Sequence, residues 1–437
     1  MRDAGRVAAA ITVIEDMDER HKPFRLALKT WGDASRFAGS KDRAFVSGLV
    51  LDALRHRRSL GARMGSESPR GVVLGALGFA WGWPLERIAE AAAEAPHGIG
   101  ALTDDEAARL LAKDGLEGAS AAVLGDYPDW LDAALTRAFG GERGLEAAAL
   151  AARAPIDLRV NTLKTDLNRA IKALEPLNAH PAGIAANALR IAAPGPTDKA
   201  PPVEAIPEFG KGWFEVQDLG SQIAAAAAGA VKGVQVLDFC AGGGGKTLAL
   251  AAAMGNTGQL YAYDADARRL ADTVRRSERA GVRNLQVRTP LRPDPLHDLV
   301  GKMDVVFVDA PCTGSGTWRR HPDAKWRLTQ AQLERRMAEQ DAVLSAAAAY
   351  VKPGGRLIYV TCSLLVEENE DRIAAFRAAD PRFEALDVLA QIEASAQVGP
   401  EGLAMLAPRR TAEGFLRLTP RIAATDGFFV AALRRAA

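Results

Sequence analysis

Cysteine is scarce, with three in 437 residues. None lies in a Cys-x-x-Cys pair or a Cys/His array with metal-ligand spacing, so a disulfide scaffold and a zinc site are excluded and no metal is expected. Such usage suits a reducing cytoplasm. Long apolar runs are missing too. The hydrophobic fraction of 48% is carried largely by alanine, and no stretch approaches the roughly 20 apolar residues that a membrane helix needs. The opening MRDAGRVAAA has charges within its first six residues and lacks the apolar core of a signal peptide. Net charge is nearly absent at +1, so any hold on nucleic acid must come from local basic patches. No membrane partner is expected, and the protein is expected to be a monomer.

A chain this long implies more than one core. Residues 1–140 show helical periodicity throughout. AFVSGLVLDALRHRRSL (44–60) reads as one helix with Ser40 as its cap. This region is expected to be an all-α domain. Residues 141–230 change in texture: IDLRVNTLK (156–164) alternates like a strand, a helix is expected from Asp166 to Leu177, and ALRIAAP and GWFEVQD read as further strands. That pattern is a small α+β subdomain. Residues 231–437 alternate apolar strands (VQVLDF, QLYAYD, MDVVFVD, GRLIYVT) with helices, the signature of a parallel sheet covered on both faces. The fold class is α/β and Rossmann-like. Ligands of such sheets bind at the carboxyl ends of the strands.

VQVLDF runs into Cys240-Ala241-Gly242-Gly243-Gly244-Gly245-Lys246-Thr247. Consecutive glycines let the backbone approach a ligand closely, and a helix N-terminus follows with free N–H groups. A phosphate-binding loop of the Gly-x-x-x-x-Gly-Lys-Thr type requires glycine where Cys240 stands. A dinucleotide fingerprint fails as well, because Thr247 occupies its third glycine position. Asp264 ends the second strand, where it can bind vicinal ribose hydroxyls or simply cap the next helix. A nucleoside cofactor without a pyrophosphate fits, and S-adenosylmethionine is the expected one.

Two further cysteines follow two further strands. MDVVFVD leads to Asp309-Ala310-Pro311-Cys312, and GRLIYV to Thr361-Cys362-Ser363. A lone cysteine is usually a small buried hydrophobe, which is the expectation for the Cys240 side chain. A pair at equivalent strand ends beside a methyl donor suggests chemistry. Carbon 5 of cytosine is a poor nucleophile until a thiolate adds to carbon 6. Amino-group methylation needs no thiol and uses an Asn/Asp-Pro-Pro-aromatic loop, which is absent. Asp309 is placed to hold the pyrimidine edge or the donor. Lys246 can orient Asp309 or lower a thiol pKa, or be purely structural.

CAGGGGKT (240–247), DAPCTGSG (309–316), RRHPDAKW (319–326), YVTCSLLVEENE (359–370) and DGFFVAALRR (426–435) together resemble the bacterial Fmu/Sun (RsmB-type) branch of the RNA cytosine-5 methyltransferases. SKDRAFVSGLVLDALRHRRSL (40–60) is similar to the signature of that branch's NusB-like RNA-binding domain. LRVNTLK and WFEVQDLGSQ are similar to its α+β RNA-binding subdomain. The resemblance implies a class I methyltransferase domain acting on RNA, most simply small-subunit ribosomal RNA. It implies that Cys362 attacks carbon 6 and that Cys312 assists product release. DNA cytosine-5 enzymes use the Pro-Cys thiol as nucleophile, so both cysteines together favour RNA. Two departures stand out. The family loop reads Cys-Ala-Ala-Pro-Gly-Gly-Lys, with Gly242 and Gly243 here in place of Ala-Pro. The acid that usually ends the third strand and contacts adenine is missing, with none before Asp294.

TWRRHPDAKWRLTQAQLERR (317–336) interleaves Arg319, Arg320 and Lys325 with Trp318 and Trp326. Such a pattern suits phosphate neutralisation with base stacking, or else a solvated helix face with two core tryptophans. Arg159 and Asn161 are further RNA candidates. The altered adenine site keeps one alternative open, an RNA-binding ribosome-assembly factor of weak activity that retains the fold.

Overall fold

The computed structural model describes residues 1–112, 115–198 and 201–437. Contacts divide it into two compact units: Met1–Arg153 with Pro194–Ala200 and Thr317–Leu328, and Ala154–Ala193 with Pro201–Gly316 and Thr329–Ala437. The α+β region expected at 141–230 is thus shared out, most of it lying in the same unit as the large sheet. Among the described residues, no helix is long and apolar enough to cross a membrane.

The first unit is helical. Ile14, Leu49, Leu54 and Leu74 are fully buried at its centre. The helix read as 44–60 is two helices, Ser40–Arg55 and Arg57–Met64. Ser40 is its first residue and not its cap; Gly39 stands at the N-cap, and its N–H donates to the Asp42 carboxylate at 3.0 Å. The break at His56 is stabilised by Asp126, whose carboxylate accepts from the Ser59 N–H and hydroxyl at 2.8 and 2.9 Å. These are orphan donors of a new helix start, which a carboxylate satisfies.

The second unit holds two sheets. A four-stranded antiparallel sheet has the order β2 (His180–Pro181), β3 (Ala188–Ile191), β1 (Ile156–Val160) and β4 (Phe214–Val216). The helix expected from Asp166 spans Leu167–Leu174, and the Asp166 side chain caps it. The larger sheet contains β5 (Gln235–Asp238), β6 (Gln259–Tyr263), β7 (Leu285–Arg288), β8 (Met303–Asp309), β9 (Val351–Thr361), β10 (Phe383–Leu386), β11 (Leu416–Leu418) and β12 (Phe428–Arg435). Its order is β10-β12-β9-β8-β5-β6-β7, with β11 beside β12. β5 to β9 pair in parallel, whereas β12 runs antiparallel to β9. The strand order reverses at β5, so β5, β6 and β8 flank the switch point.

Two backbone segments lie in direct contact beside these strand ends. Gly427 N–H donates to Gly316 O at 2.7 Å, and Gly316 N–H donates to Cys362 O at 2.9 Å. A Cβ at Gly316 would meet Gly427 O at 2.2 Å. Overpacking of this kind forces backbone to shift and costs about 1–3 kcal/mol. Gly316→Ala is therefore expected to lower the unfolding free energy by that amount, seen as a lower urea midpoint at an unchanged slope. An unaltered midpoint would mean that the two segments separate without cost.

Candidate active site

Four strand ends, those of β5, β6, β8 and β9, build the site. β5 ends at Asp238, and the turn that follows runs from Cys240 to Gly245, where the helix Gly245–Met254 starts. Gly242 and Gly244 have φ of +54° and +81°, a region that L side chains rarely adopt. Gly242 stands where the family resemblance expects alanine, so this loop has taken a backbone path that alanine would strain. The turn is closed by Gly244 N–H to Ala241 O at 2.9 Å and Thr273 Oγ1 to Gly242 O at 2.9 Å.

Asp264 follows β6, is 5% exposed, and accepts from the Gly242 N–H at 2.8 Å and the Asp266 N–H at 2.9 Å. It does not cap the next helix; Asp266 does. Arg269 also reaches the Asp264 carboxylate, at 3.4 Å. Asp238 is fully buried, and a sequence reading passed over it. Its Oδ2 accepts from Thr247 Oγ1 at 2.6 Å, while its Oδ1 has no partner. Burial, followed by the charges of Asp309 and Asp264, pushes its carboxyl up to about 7, against the Thr247 hydroxyl and the Lys246 ammonium. The signal was an acid closing the apolar strand VQVLDF, on a sheet whose faces are both covered.

These groups fit S-adenosylmethionine, which is the cofactor of this site. A ligand with a sulfonium and an ammonium suits an orphaned buried carboxylate oxygen flanked by two further carboxylates. The glycine turn allows backbone approach, and Asp264 is the candidate for the ribose hydroxyls. The adenine side is less regular. β7 ends in Arg288, which is paired with Asp298 at 2.9 Å, and Asp294 is exposed beyond it. The rings of Phe239, Tyr263 and Tyr350 cluster near the same strand ends, with Phe239 centroids 5.3 and 5.7 Å from the other two.

The catalytic candidates converge. Lys246 is buried, and its Nζ donates to Asp309 Oδ2 at 2.8 Å. Burial pulls its pKa down, but Asp309, with Cys362 and Asp238 beyond, more than offsets this and raises it. Lys246 therefore stays an ammonium and holds Asp309, one of the two roles anticipated for it. β8 and β9 run in register, with Asp309 opposite Val360. Their outgoing loops consequently start level, and Cys312 Sγ lies 3.4 Å from Cys362 Sγ. Both thiols are free. The Cys312 thiol is raised by its hydrogen bond with Cys362, then by burial and by the charges of Cys362 and Glu368. Cys240 stands apart from this pair, its thiol raised by burial and then by Asp238, Asp309 and Asp264. It packs against the apolar cluster around Phe239 and Tyr359, as a structural cysteine would.

The RNA candidates fare differently. Arg159, Asn161, Arg319 and Lys325 are buried, with exposures of 7, 2, 4 and 2%, which corrects the reading of them as surface contacts. Asn161 Nδ2 donates to Gly212 O and Ala280 O, both at 2.8 Å, pinning loops together. Arg159 Nε donates to Gln217 Oε1 at 2.7 Å, and burial pushes its pKa down to about 10. Lys325 Nζ donates to Arg55 O at 2.8 Å, and burial pushes its pKa down to about 8. Trp318 is a core residue, and Trp326 Nε1 donates to Leu54 O at 2.7 Å. The stretch 317–328 is thus part of the helical unit's packing. Arg320 and Trp326 are half-buried. Periodicity alone could not separate a basic, aromatic patch from cations that solvate helix C-termini internally.

The reversed last strand pair, the glycine-rich first turn and the acid after the second strand define a class I S-adenosylmethionine-dependent methyltransferase. Comparison with known proteins agrees. Residues 229–434 match the model of 16S rRNA methyltransferase RsmB/F, and residues 127–198 match the RsmF/B-like ferredoxin-like domain. The chain is 31% identical over 314 residues to the probable ribosomal RNA small subunit methyltransferase B of Synechocystis, covering 71% of this chain and 67% of that protein. It is 33% identical over 258 residues to ribosomal RNA small subunit methyltransferase B of Enterobacter, covering 57% of each, a little over half of that relative. A solved methyltransferase homologue from Pyrococcus horikoshii superposes with a TM-score of 0.57 at 26% identity, over 72% of this chain and 97% of that one. The chain belongs to the RsmB/F family of 16S rRNA methyltransferases.

The buried Asp238 carboxyl has a pH signature. Below about pH 4 it is protonated in both folded and unfolded states. Between its ordinary 3.8 and about 7 the unfolded chain ionises while the folded one keeps the proton. Stability is therefore lost as pH rises through this window. Asp238→Asn lacks that loss. In the cofactor-free protein, its stability relative to wild type is expected to rise between pH 4.5 and 7.5, by on the order of a few kcal/mol in urea unfolding. A difference that stays flat with pH would mean that Asp238 is ionised in the folded state.

Proposed function

We propose that this protein transfers a methyl group to carbon 5 of a cytosine in small-subunit ribosomal RNA, with Cys362 as the covalent nucleophile. One observation carries the reading: two thiols from the loops after two paired parallel strands lie 3.4 Å apart, with Lys246 and Asp309 beside them. A simple methyl transfer to nitrogen or oxygen needs neither thiol.

When bound, S-adenosylmethionine supplies an electrophilic methyl carbon. The thiolate of Cys362 adds to carbon 6, forming a C–S bond and moving electron density onto carbon 5, which then takes the methyl group. Solvent water takes the proton from carbon 5, the electron pair of that C–H bond re-forms the double bond between carbons 5 and 6, and the C–S bond breaks with its pair returning to Cys362. Cys312, whose thiol is raised, keeps its proton and assists release. Asp309, held by Lys246, accepts from the exocyclic amino group of the flipped base. The ribosomal substrate follows the similar ribosomal RNA small subunit methyltransferases B, and the helical unit serves to hold RNA.

Isolated small-subunit RNA and S-adenosylmethionine test this directly. Cys362→Ala is expected to abolish both methylation and adduct. Cys312→Ala is expected to accumulate a protein–RNA adduct stable to denaturing electrophoresis. An adduct in the Cys362 variant would reverse the assignment. Bisulfite sequencing should show one protected cytosine that disappears when the gene is removed, and no such site would sink the substrate reading.

A further inference from the structure

Glu368 takes no part in the chemistry above, yet its carboxylate touches both thiol loops. It lies in the 3-10 turn Val366–Glu368 and is fully buried. Its Oε1 accepts from the Thr313 N–H at 2.8 Å and from Gln340 Nε2 at 3.0 Å. Its Oε2 accepts from Thr313 Oγ1 at 2.5 Å and from the Ser363 hydroxyl. Thr313 follows Cys312, and Ser363 follows Cys362. One rigid group is therefore bonded to the neighbour of each thiol.

The surroundings stiffen the same arrangement. Gln340 Nε2 also donates to Pro311 O at 2.9 Å, on the other side of Cys312. Ser315 Oγ lies 3.0 Å from Ser363 Oγ and accepts from the Leu364 N–H at 2.8 Å, a second tie between the loops. Thr361 Oγ1 donates to Asn369 Oδ1 at 2.6 Å, and Asn369 Nδ2 donates to Ser363 O at 2.9 Å. Tyr359 donates its hydroxyl to Glu368 O at 2.7 Å. A buried carboxylate is costly unless every lone pair is used. Here four donors from three elements converge on it, and two of those elements carry cysteines. A carboxylate that served only to anchor its own turn would not need partners on the Pro-Cys loop.

We propose that Glu368 is a positioning residue that holds the two thiol loops in register, so that Cys312 stays in reach of the adduct formed by Cys362. The proposal rests on the reaction given above, but part of its test is independent of it. In the full-length protein, a short bifunctional thiol reagent reports how often Cys312 and Cys362 meet, whether or not the RNA reaction is as described. Glu368→Gln keeps the size and loses two acceptor sites. It is expected to slow bridging of the two cysteines by about tenfold and to lower kcat by about 100-fold, the usual effect of a misplacement near 1 Å. KM for RNA should change less than about twofold, since only positioning is affected. Covalent RNA adduct should accumulate, as with Cys312→Ala. A folded Glu368→Gln protein that bridges its thiols at the wild-type rate and keeps its kcat overturns the proposal. Should Glu368→Gln not fold, Thr313→Val removes a single arm of the clamp. Slower bridging supports the proposal there, and wild-type bridging with wild-type kcat refutes it. Wild-type protein that forms no cytosine adduct refutes the reaction, while the bridging comparison still decides the clamp.

Discussion

Parallel pairing of β8 with β9 is the constraint on which the site depends. Register in a parallel pair decides where the outgoing loops begin, and here Asp309 and Val360 are opposite one another. Two loops that leave level from adjacent strands inevitably share one crevice. Their thiols meet because the strands do, and shifting that register by one residue would turn Asp309 away from Lys246. The flanking pair β5 and β8 brings the glycine turn to the same edge as the two thiol loops.

Within that crevice, charge is distributed unevenly. Lys246 supplies a buried cation there and is balanced by Asp309. Asp238, Asp264 and Asp309 form an acidic wall suited to a cationic ligand, and Glu368 adds a further acid beside Cys312. A thiol between an acid and another thiol, as Cys312 is, keeps its proton. Chemically identical side chains thus meet different surroundings in one crevice.

Much of this was legible in the sequence, for identifiable reasons. Apolar runs ending in Asp309 and Thr361 announced strands, and strand ends in a doubly covered sheet are where ligands sit, so Cys312 and Cys362 could be paired before any coordinates. The salt bridge of Lys246 was one of its two anticipated roles. What stayed hidden was set by long-range packing. Arg159, Asn161, Arg319 and Lys325 read as RNA contacts because polar groups are usually exposed, yet all four are buried, and Arg159, Asn161 and Lys325 each donate to a carbonyl or amide oxygen of a distant segment. Asp238 and Glu368 were hidden for the same reason: neither periodicity nor motif spacing shows that a carboxylate is fully enclosed. The break at His56 depends on Asp126, which no local pattern could supply.

The contact of Gly316 with Gly427 has a bearing on which substitutions the chain tolerates. Gly427, just before β12, which lies between β10 and β9, is pressed against the segment that follows the Pro-Cys thiol. Neither position can drift on its own, since a methyl group at one intrudes on the backbone of the other. The segment that leads into β12 and the segment that follows the Pro-Cys thiol are therefore bound by one steric constraint, although they lie far apart in the sequence.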